Sequence, residues 1–401
     1  MPFGSRWTLR SAVLLGLLLP GTPGLQGQAP PALVIGQRDS LVSKVMGEER
    51  KLLIYLPDGY ARGKASYPVI YLLDGDGHFH HTTGIIRFLT DQGRMPEAIL
   101  VAIPNTDRTR DLTPVTTVEA AQFPTAGGAQ RFLRFMREEL FPHVEAHYRS
   151  AGLRVLIGHS FGGLFAVEAL ETQPEMFQAY VVISPSLWWN GGELVRRAPD
   201  DLKRHPDLKA RVYMATGDEG DHMLAGARDL AAVLDSAGLP GLHAHFQFMP
   251  NEDHGSNPHR TTYDGLEWVF ADFRLKEPEL VALFEQGVAA VDRHFAQLSA
   301  SYGYSITTPE ALINRLGYYY LQNGKGDLAI AAFQENVHRF PKSANTYDSL
   351  GDGYAQTGRL QEAAASYRKA VEIGQPTGDP VVPFSRGKHL LAERKLAAGN
   401  R

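Results

Sequence analysis

Short apolar runs recur through the first two thirds of the chain, at residues 51–56, 69–73, 99–103, 155–157, 180–183, 212–215 and 243–248. They read as strands. Between the later runs, at 129–147, 162–171, 224–236 and 263–275, apolar positions return every three or four residues. That spacing predicts helices with one face turned to a core. Strands alternating with helices give an α/β fold, a mostly parallel sheet with helices on both faces. The first two runs have no helix between them and are expected to pair as an antiparallel edge.

Past residue 308 the pattern changes. Ile313, Leu316, Gly317 and Tyr320 recur as Tyr347, Leu350, Gly351 and Tyr354, and Ala329 and Phe333 recur as Ala363 and Tyr367. Every pair is 34 residues apart, the period of tetratricopeptide repeats, in which small residues stand where helices cross. Residues 309–398 therefore read as a small all-α region of helical hairpins: two repeats, with a capping helix at 385–398. Residues 276–308 read as a helical connector. Two repeats alone bury little apolar surface, so they are expected to dock on the rest of the chain or on a partner.

At 401 residues, two domains are the natural expectation. A net charge of −4 gives no reason to expect nucleic acid or an anionic membrane as partner. The chain has no cysteine, which excludes disulfides, thiolate metal sites and a cysteine nucleophile. Arg6 and Arg10, the apolar stretch 12–19 and the small, turn-rich stretch 20–28 read as a signal peptide over 1–27. A Pro-rich linker follows at 28–35. The apolar stretch falls short of the roughly 20 residues that cross a bilayer, so the mature chain is expected to have no membrane span. Export to the periplasm or the exterior is the expected localisation.

The chemistry starts at Gly158-His159-Ser160-Phe161-Gly162, between an apolar strand and an apolar helix. G-x-S-x-G in that context is a nucleophile elbow, a turn so sharp that the serine's neighbours must be small. Gly158 and Gly162 meet that need, with Gly163 in support. Ser160 is the candidate nucleophile, and the Phe161 N–H is a candidate oxyanion donor. A serine hydroxyl needs a base, and the base an orienting acid. In this fold the order is Ser, acid, His. His254, in the loop after the last strand, is the candidate base, ahead of His222 and His259. Three carboxylates follow the strand at 212–215; Glu219 is preferred over Asp221 and Asp218. The second oxyanion donor is expected in the glycine-rich segment 72–79, from Asp76 or Gly77. Asp74 there is expected to tie down its own turn. His78, His80 and His81 cluster at a spacing too short for a convincing metal site, so no metal is expected. Trp188 and Trp189 stand at a strand end, the active-site face of such sheets. They are candidates for a substrate-binding aromatic wall, with at least one expected to pack in the core.

Leu72-Leu73-Asp74-Gly75, Ile103-Pro104-Asn105 with Arg108 and Arg110, Asp111-Leu112-Thr113-Pro114, the elbow, and Asp253-His254-Gly255-Ser256 together resemble the "Putative esterase" family of α/β-hydrolases. That family includes enterochelin and salmochelin esterases, feruloyl esterases, S-formylglutathione hydrolase and mycolyltransferases. The resemblance covers roughly residues 35–275, and the esterase domain is set at 36–275. It implies a carboxylic-ester hydrolase without a cofactor, with Ser160 as nucleophile and His254 as base. The loop after Gly217 is one residue shorter than the family's pattern, so the acid is not carried over. The leading expectation is an exported serine esterase acting on a small-molecule ester, with siderophore and aromatic esters foremost and the repeats available to a protein partner. Two other readings stand beside it: a cell-envelope acyltransferase of the same fold, and a repeat-based interaction protein on an inactive hydrolase.

Overall fold

The computed structural model describes residues 32–61 and 63–399. The expected signal peptide and the start of the linker lie outside the described residues. The strands are β1 (Gln37–Ser43), β2 (Glu48–Tyr55), β3 (Tyr67–Leu72), β4 (Ile99–Ala102), β5 (Ser150–His159), β6 (Ala179–Ile183), β7 (Ala210–Gly217) and β8 (Leu242–Met249). They form one sheet in the order β1-β2-β4-β3-β5-β6-β7-β8. From β4 across to β8 all neighbours are parallel. β1 pairs antiparallel with β2, and β2 antiparallel with β4.

All seven expected strands are present. The edge differs from expectation: it is β1–β2, not β2–β3. β1 has no apolar run to announce it, and its Val42 is 80% exposed. β3 lies between β4 and β5 and is buried at every position. A strand covered on both faces reads as an unbroken apolar run, which is what 67–72 is.

Helices cover both faces. α1 (Gly75–Asp91) begins where a loop was expected, directly after β3. α2 (Arg108–Leu112) is a single short turn. The long helix expected at 129–147 is α3 (Ala129–Phe135) and α4 (Phe141–His147), joined by a π-helical turn at Met136–Leu140. α5 (Phe161–Thr172), α6 (Trp189–Lys203), α7 (Asp221–Ser236) and α8 (Asn257–Val269) complete this part. α3 to α7 pack on one face of the sheet, through residues such as Phe132, Phe165 and Leu230. α1 and α8 pack on the other, through Ile86, Leu89 and Leu266. α5 is buried from Phe161 to Glu171, as a helix apolar all round must be.

That second core continues into the helical part. α9 (Glu277–Gln286) and α10 (Val288–Tyr302) follow α8. Phe270 meets Tyr302, and Phe273 meets Phe295 edge-on, each pair at 5.8 Å between ring centroids. α11 (Glu310–Gln322) with α12 (Gly326–Arg339), and α13 (Ala344–Gln356) with α14 (Leu360–Gly374), are the two hairpins, and α15 (Val382–Gly399) packs on α14. Tyr320 of α11 donates its hydroxyl to the Phe284 carbonyl of α9 at 2.8 Å. The hairpins thus rest on the connector helices, and the connector helices on the sheet's helical layer. Ile35 onward is one compact unit.

The 34-residue repeat has a steric meaning. A Cβ on Gly317 would lie 2.3 Å from the Phe333 ring, and one on Gly351 would lie 2.5 Å from the Tyr367 ring. Each glycine admits an aromatic ring from the partner helix of its own hairpin. Gly317→Ala is expected to destabilise the protein by about 1–3 kcal/mol through overpacking. Calorimetric unfolding checks this; an unchanged Tm would mean that Phe333 steps aside freely.

Candidate active site

β5 runs directly into α5 through Ser160, which sits at φ 60° and ψ −113°. This is a region that costs an L-residue on the order of 1–3 kcal/mol and is held only by its surroundings. Those surroundings are close backbone. A Cβ on Gly158 would lie 2.1 Å from the Gly162 carbonyl oxygen, and one on Gly163 would lie 2.9 Å from the Ile183 carbonyl oxygen. A Cβ on Gly162 would meet nothing nearer than 3.4 Å. The obligatory glycines are therefore Gly158 and Gly163, rather than the motif pair Gly158 and Gly162.

The Phe161 N–H opens α5, and no hydrogen bond is made to it among the described residues. The same holds for the Asp76 N–H in the first turn of α1. The Gly77 N–H, the other expected donor, is engaged by the Asp74 carbonyl at 3.0 Å. Asp74 does more than fix its own turn. Its carboxylate accepts from Arg108 Nε at 2.6 Å, Arg108 Nη2 at 3.0 Å and Asn105 Nδ2 at 2.7 Å. Arg108 Nη2 also reaches the His159 carbonyl at 3.1 Å. One guanidinium therefore joins the start of α1 to the elbow. Burial alone would raise the Asp74 pKa, but the Arg108 and Asn105 contacts outweigh it and hold the carboxyl below its ordinary value.

The candidate base and acid come from adjacent loops. Gly217 ends β7, and a Cβ there would lie 2.4 Å from the Glu252 carbonyl oxygen. The Asp218 N–H donates to that carbonyl at 2.7 Å. This close approach sets Glu219 beside His254, with Glu219 Oε2 2.5 Å from His254 Nδ1. The other oxygen of Glu219 accepts from the Gly217 N–H at 2.9 Å and from the Ser184 hydroxyl. Ser184, at φ 43°, in turn accepts from Asn257 Nδ2 at 2.8 Å. Burial works to raise the Glu219 pKa, but hydrogen bonds from His254, Ser184 and Gly217 prevail and hold it below the usual range. Neither Asp218 nor Asp221 touches His254 among the described residues. Sequence alone does not single out Ser184 or Asn257; one lies four residues before Trp188, the other three residues after His254, but neither carries a motif.

Ser160, Phe161, Trp188, Met223, Glu219 and His254 are among the residues lining one open pocket of about 470 Å³. Ser160 Oγ lies 3.4 Å from Ser186 Oγ, which also lines it. His222 reaches the pocket as well, with no carboxylate partner among the described residues. The tryptophans separate. Trp188 faces the pocket, but Trp189 is 1% exposed and gives its indole N–H to the Pro114 carbonyl at 3.0 Å. Packed on Phe123 and Phe161, it backs the wall and is not among the residues lining the pocket. His259 lies away from the pocket, with its ring 5.3 Å from that of His81. His78 Nδ1 and His81 Nε2 are 3.1 Å apart and face each other.

Residues 43–257 match the model of the family described as "Putative esterase". The chain belongs to that family. It is a carboxylic-ester hydrolase by class. The hairpins, at 314–379, match a tetratricopeptide-repeat model. The esterase is 32% identical over 217 residues to the ferri-bacillibactin esterase BesA of Bacillus subtilis, covering 47% of this chain and 74% of that one. It is 36% identical over 167 residues to a siderophore enterobactin esterase of Emericella nidulans, covering 36% of this chain and 54% of that one. An IroE-like serine hydrolase from Shewanella oneidensis superposes with a TM-score of 0.65 at 30% identity, over 76% of this chain and 99% of that one.

Two outcomes follow. Glu219→Gln is expected to lower kcat by about 100-fold or more, while Asp221→Asn stays near wild type; steady-state kinetics on any accepted ester separates them, and equal small losses would exclude Glu219 as the acid. The Asp74 carboxyl has a lowered folded-state pKa, so its contribution to stability is complete above its unfolded value near about 4 and is lost as pH falls through the lower folded value. The Tm difference between wild type and Asp74→Asn should therefore be widest near neutrality and close in acid. A difference that stays constant into strong acid would refute this.

Proposed function

We propose that the chain is an exported serine esterase that works through an acyl-enzyme on Ser160. The observation that supports this most directly is the Glu219–His254 pair sharing one pocket with a serine held at positive φ. With Nδ1 turned to Glu219, His254 keeps Nε2 for the serine proton. Ser160 Oγ attacks the ester carbonyl as His254 takes that proton. The Phe161 and Asp76 N–H groups receive the oxyanion. His254 returns the proton to the leaving alcohol, then activates water to release the acid and free the serine.

The substrate proposed is an ester with a bulky aromatic-bearing group, set against Trp188. The relatives named for siderophore esters support this class, with catecholate lactones as its first members. The proposed division is esterase at 36–275, connector at 276–308 and repeats at 309–398, the repeats offering a surface to a protein partner. Export rests on the character of residues 1–27. Among the described residues no helix is long and apolar enough to cross a membrane.

Hydrolysis of p-nitrophenyl esters, feruloyl esters and a catecholate trilactone by wild type and Ser160→Ala tests the reading. Turnover is expected to fall by about 1,000-fold or more in the variant, with loss of fluorophosphonate labelling. A variant that keeps its activity and its labelling would move the nucleophile elsewhere.

A further inference from the structure

The charges around the pocket are one-sided. Asp218, Glu219 and Asp253 line it, and among the described residues no lysine or arginine does. Glu219 is committed to His254, Ser184 and Gly217. Asp253 is exposed and accepts from the Gly255 and Ser256 N–H groups at 2.8 Å, and no lysine or arginine pairs with it among the described residues. The Asp218 carboxylate is exposed and makes no hydrogen bond or ion pair among the described residues.

Nearby cations do not balance this. Arg108 lies over the Phe161 ring at 5.3 Å, but its charge is matched by the forked pair with Asp74. Arg196, on α6, binds the Asn190 and Gly191 carbonyls and is not among the lining residues. Further carboxylates flank the mouth in sequence: Asp221 starts α7, and Glu252 precedes Asp253. The field inside such a cleft is negative, and low-dielectric walls such as Trp188 and Met223 focus it.

We infer that this pocket selects uncharged or cationic esters and rejects anionic ones. This rests on the serine-esterase reading above and narrows its substrate class. Hydrolysis adds one water to the ester and yields an alcohol, a carboxylate and a proton. The ester enters uncharged and the acid leaves as an anion, so the same field that admits the substrate drives the product out. A ferric complex of three catecholates carries three negative charges and meets the field unfavourably. The same lactone without iron, its catechols protonated, does not.

Three p-nitrophenyl esters of matched chain length test this: an unbranched alkanoate, one ending in a carboxylate, and one ending in a trimethylammonium group. Each kcat/KM is divided by the rate of the ester's hydroxide-catalysed hydrolysis. At low salt the anionic ester is expected to fall about tenfold or more below the neutral one, with the cationic ester at or above it. Raising salt to about 0.5 M should shrink that gap, because exposed charges are screened. Asp218→Asn should also shrink it. An iron-free catecholate trilactone should be cleaved faster than its ferric complex. An anionic ester turned over as well as the neutral one at low salt, a gap insensitive to both salt and Asp218→Asn, or a faster ferric complex would each overturn the inference. No turnover on any of the three esters would overturn the esterase reading and this inference with it.

Discussion

The distance between two pieces of backbone governs this site. β5 must turn into α5 within one residue, and the Gly158 Cα comes so near the Gly162 carbonyl that any side chain would collide. Ser160 therefore sits at φ 60°, against its own preference. That strain is held by neighbours: the Ser160 N–H bonds to the Ile183 carbonyl, and the Ser160 carbonyl accepts from Leu164 and Ser186. Gly163 lets α5 pass β6, and Arg108 fastens the His159 carbonyl to Asp74. The N–H at the start of α5, unbonded among the described residues, the hydroxyl on the pocket and the position of α1 all follow from the turn being this tight.

Much of this was legible in the sequence because the constraint is local. A strand, a glycine, a serine and a helix stand side by side, and the elbow reads directly. The tetratricopeptide period was legible for the same reason: Gly317 with Phe333 is repeated as Gly351 with Tyr367, and close packing admits no substitute. What stayed hidden depends on contacts between distant residues. β1 shows too little burial to leave a periodic trace. Glu219 could be ranked above Asp221, but its pairing with His254 depends on how near Gly217 comes to Glu252, which no local pattern encodes. Trp188 and Trp189 look alike in sequence; only Pro114, 75 residues away from Trp189, decides which one turns inward.

α8 links the two parts of the molecule. Its first residue, Asn257, holds Ser184, which holds Glu219. Its C-terminal end leads into Phe270 and Phe273, which meet Tyr302 and Phe295 of the connector. The hairpins rest on that connector through Tyr320 and Phe284. The repeats are thus packed on the same core that fixes the acid, instead of hanging from a flexible tether. Neighbouring hairpins share apolar surface, as repeat architectures require, and here the connector helices supply the missing neighbour at one end.

The electrostatics around His254 divide into two sides. On one stands Glu219, kept ionised by its hydrogen bonds despite burial. On the other the His159 ring lies 4.5 Å away between centroids. Burial first, then repulsion from His254 and His78, pushes the His159 pKa down to about 4. His159 is therefore uncharged near neutral pH. An imidazolium forming on His254 faces a carboxylate and a neutral ring, never a second cation. A ring at position 159 with an ordinary histidine pKa would be partly protonated near neutrality and would set a positive charge beside His254. The residue that fills the second position of the elbow motif thus sets a neutral ring, not a charge, beside the candidate base, because the fold buries it.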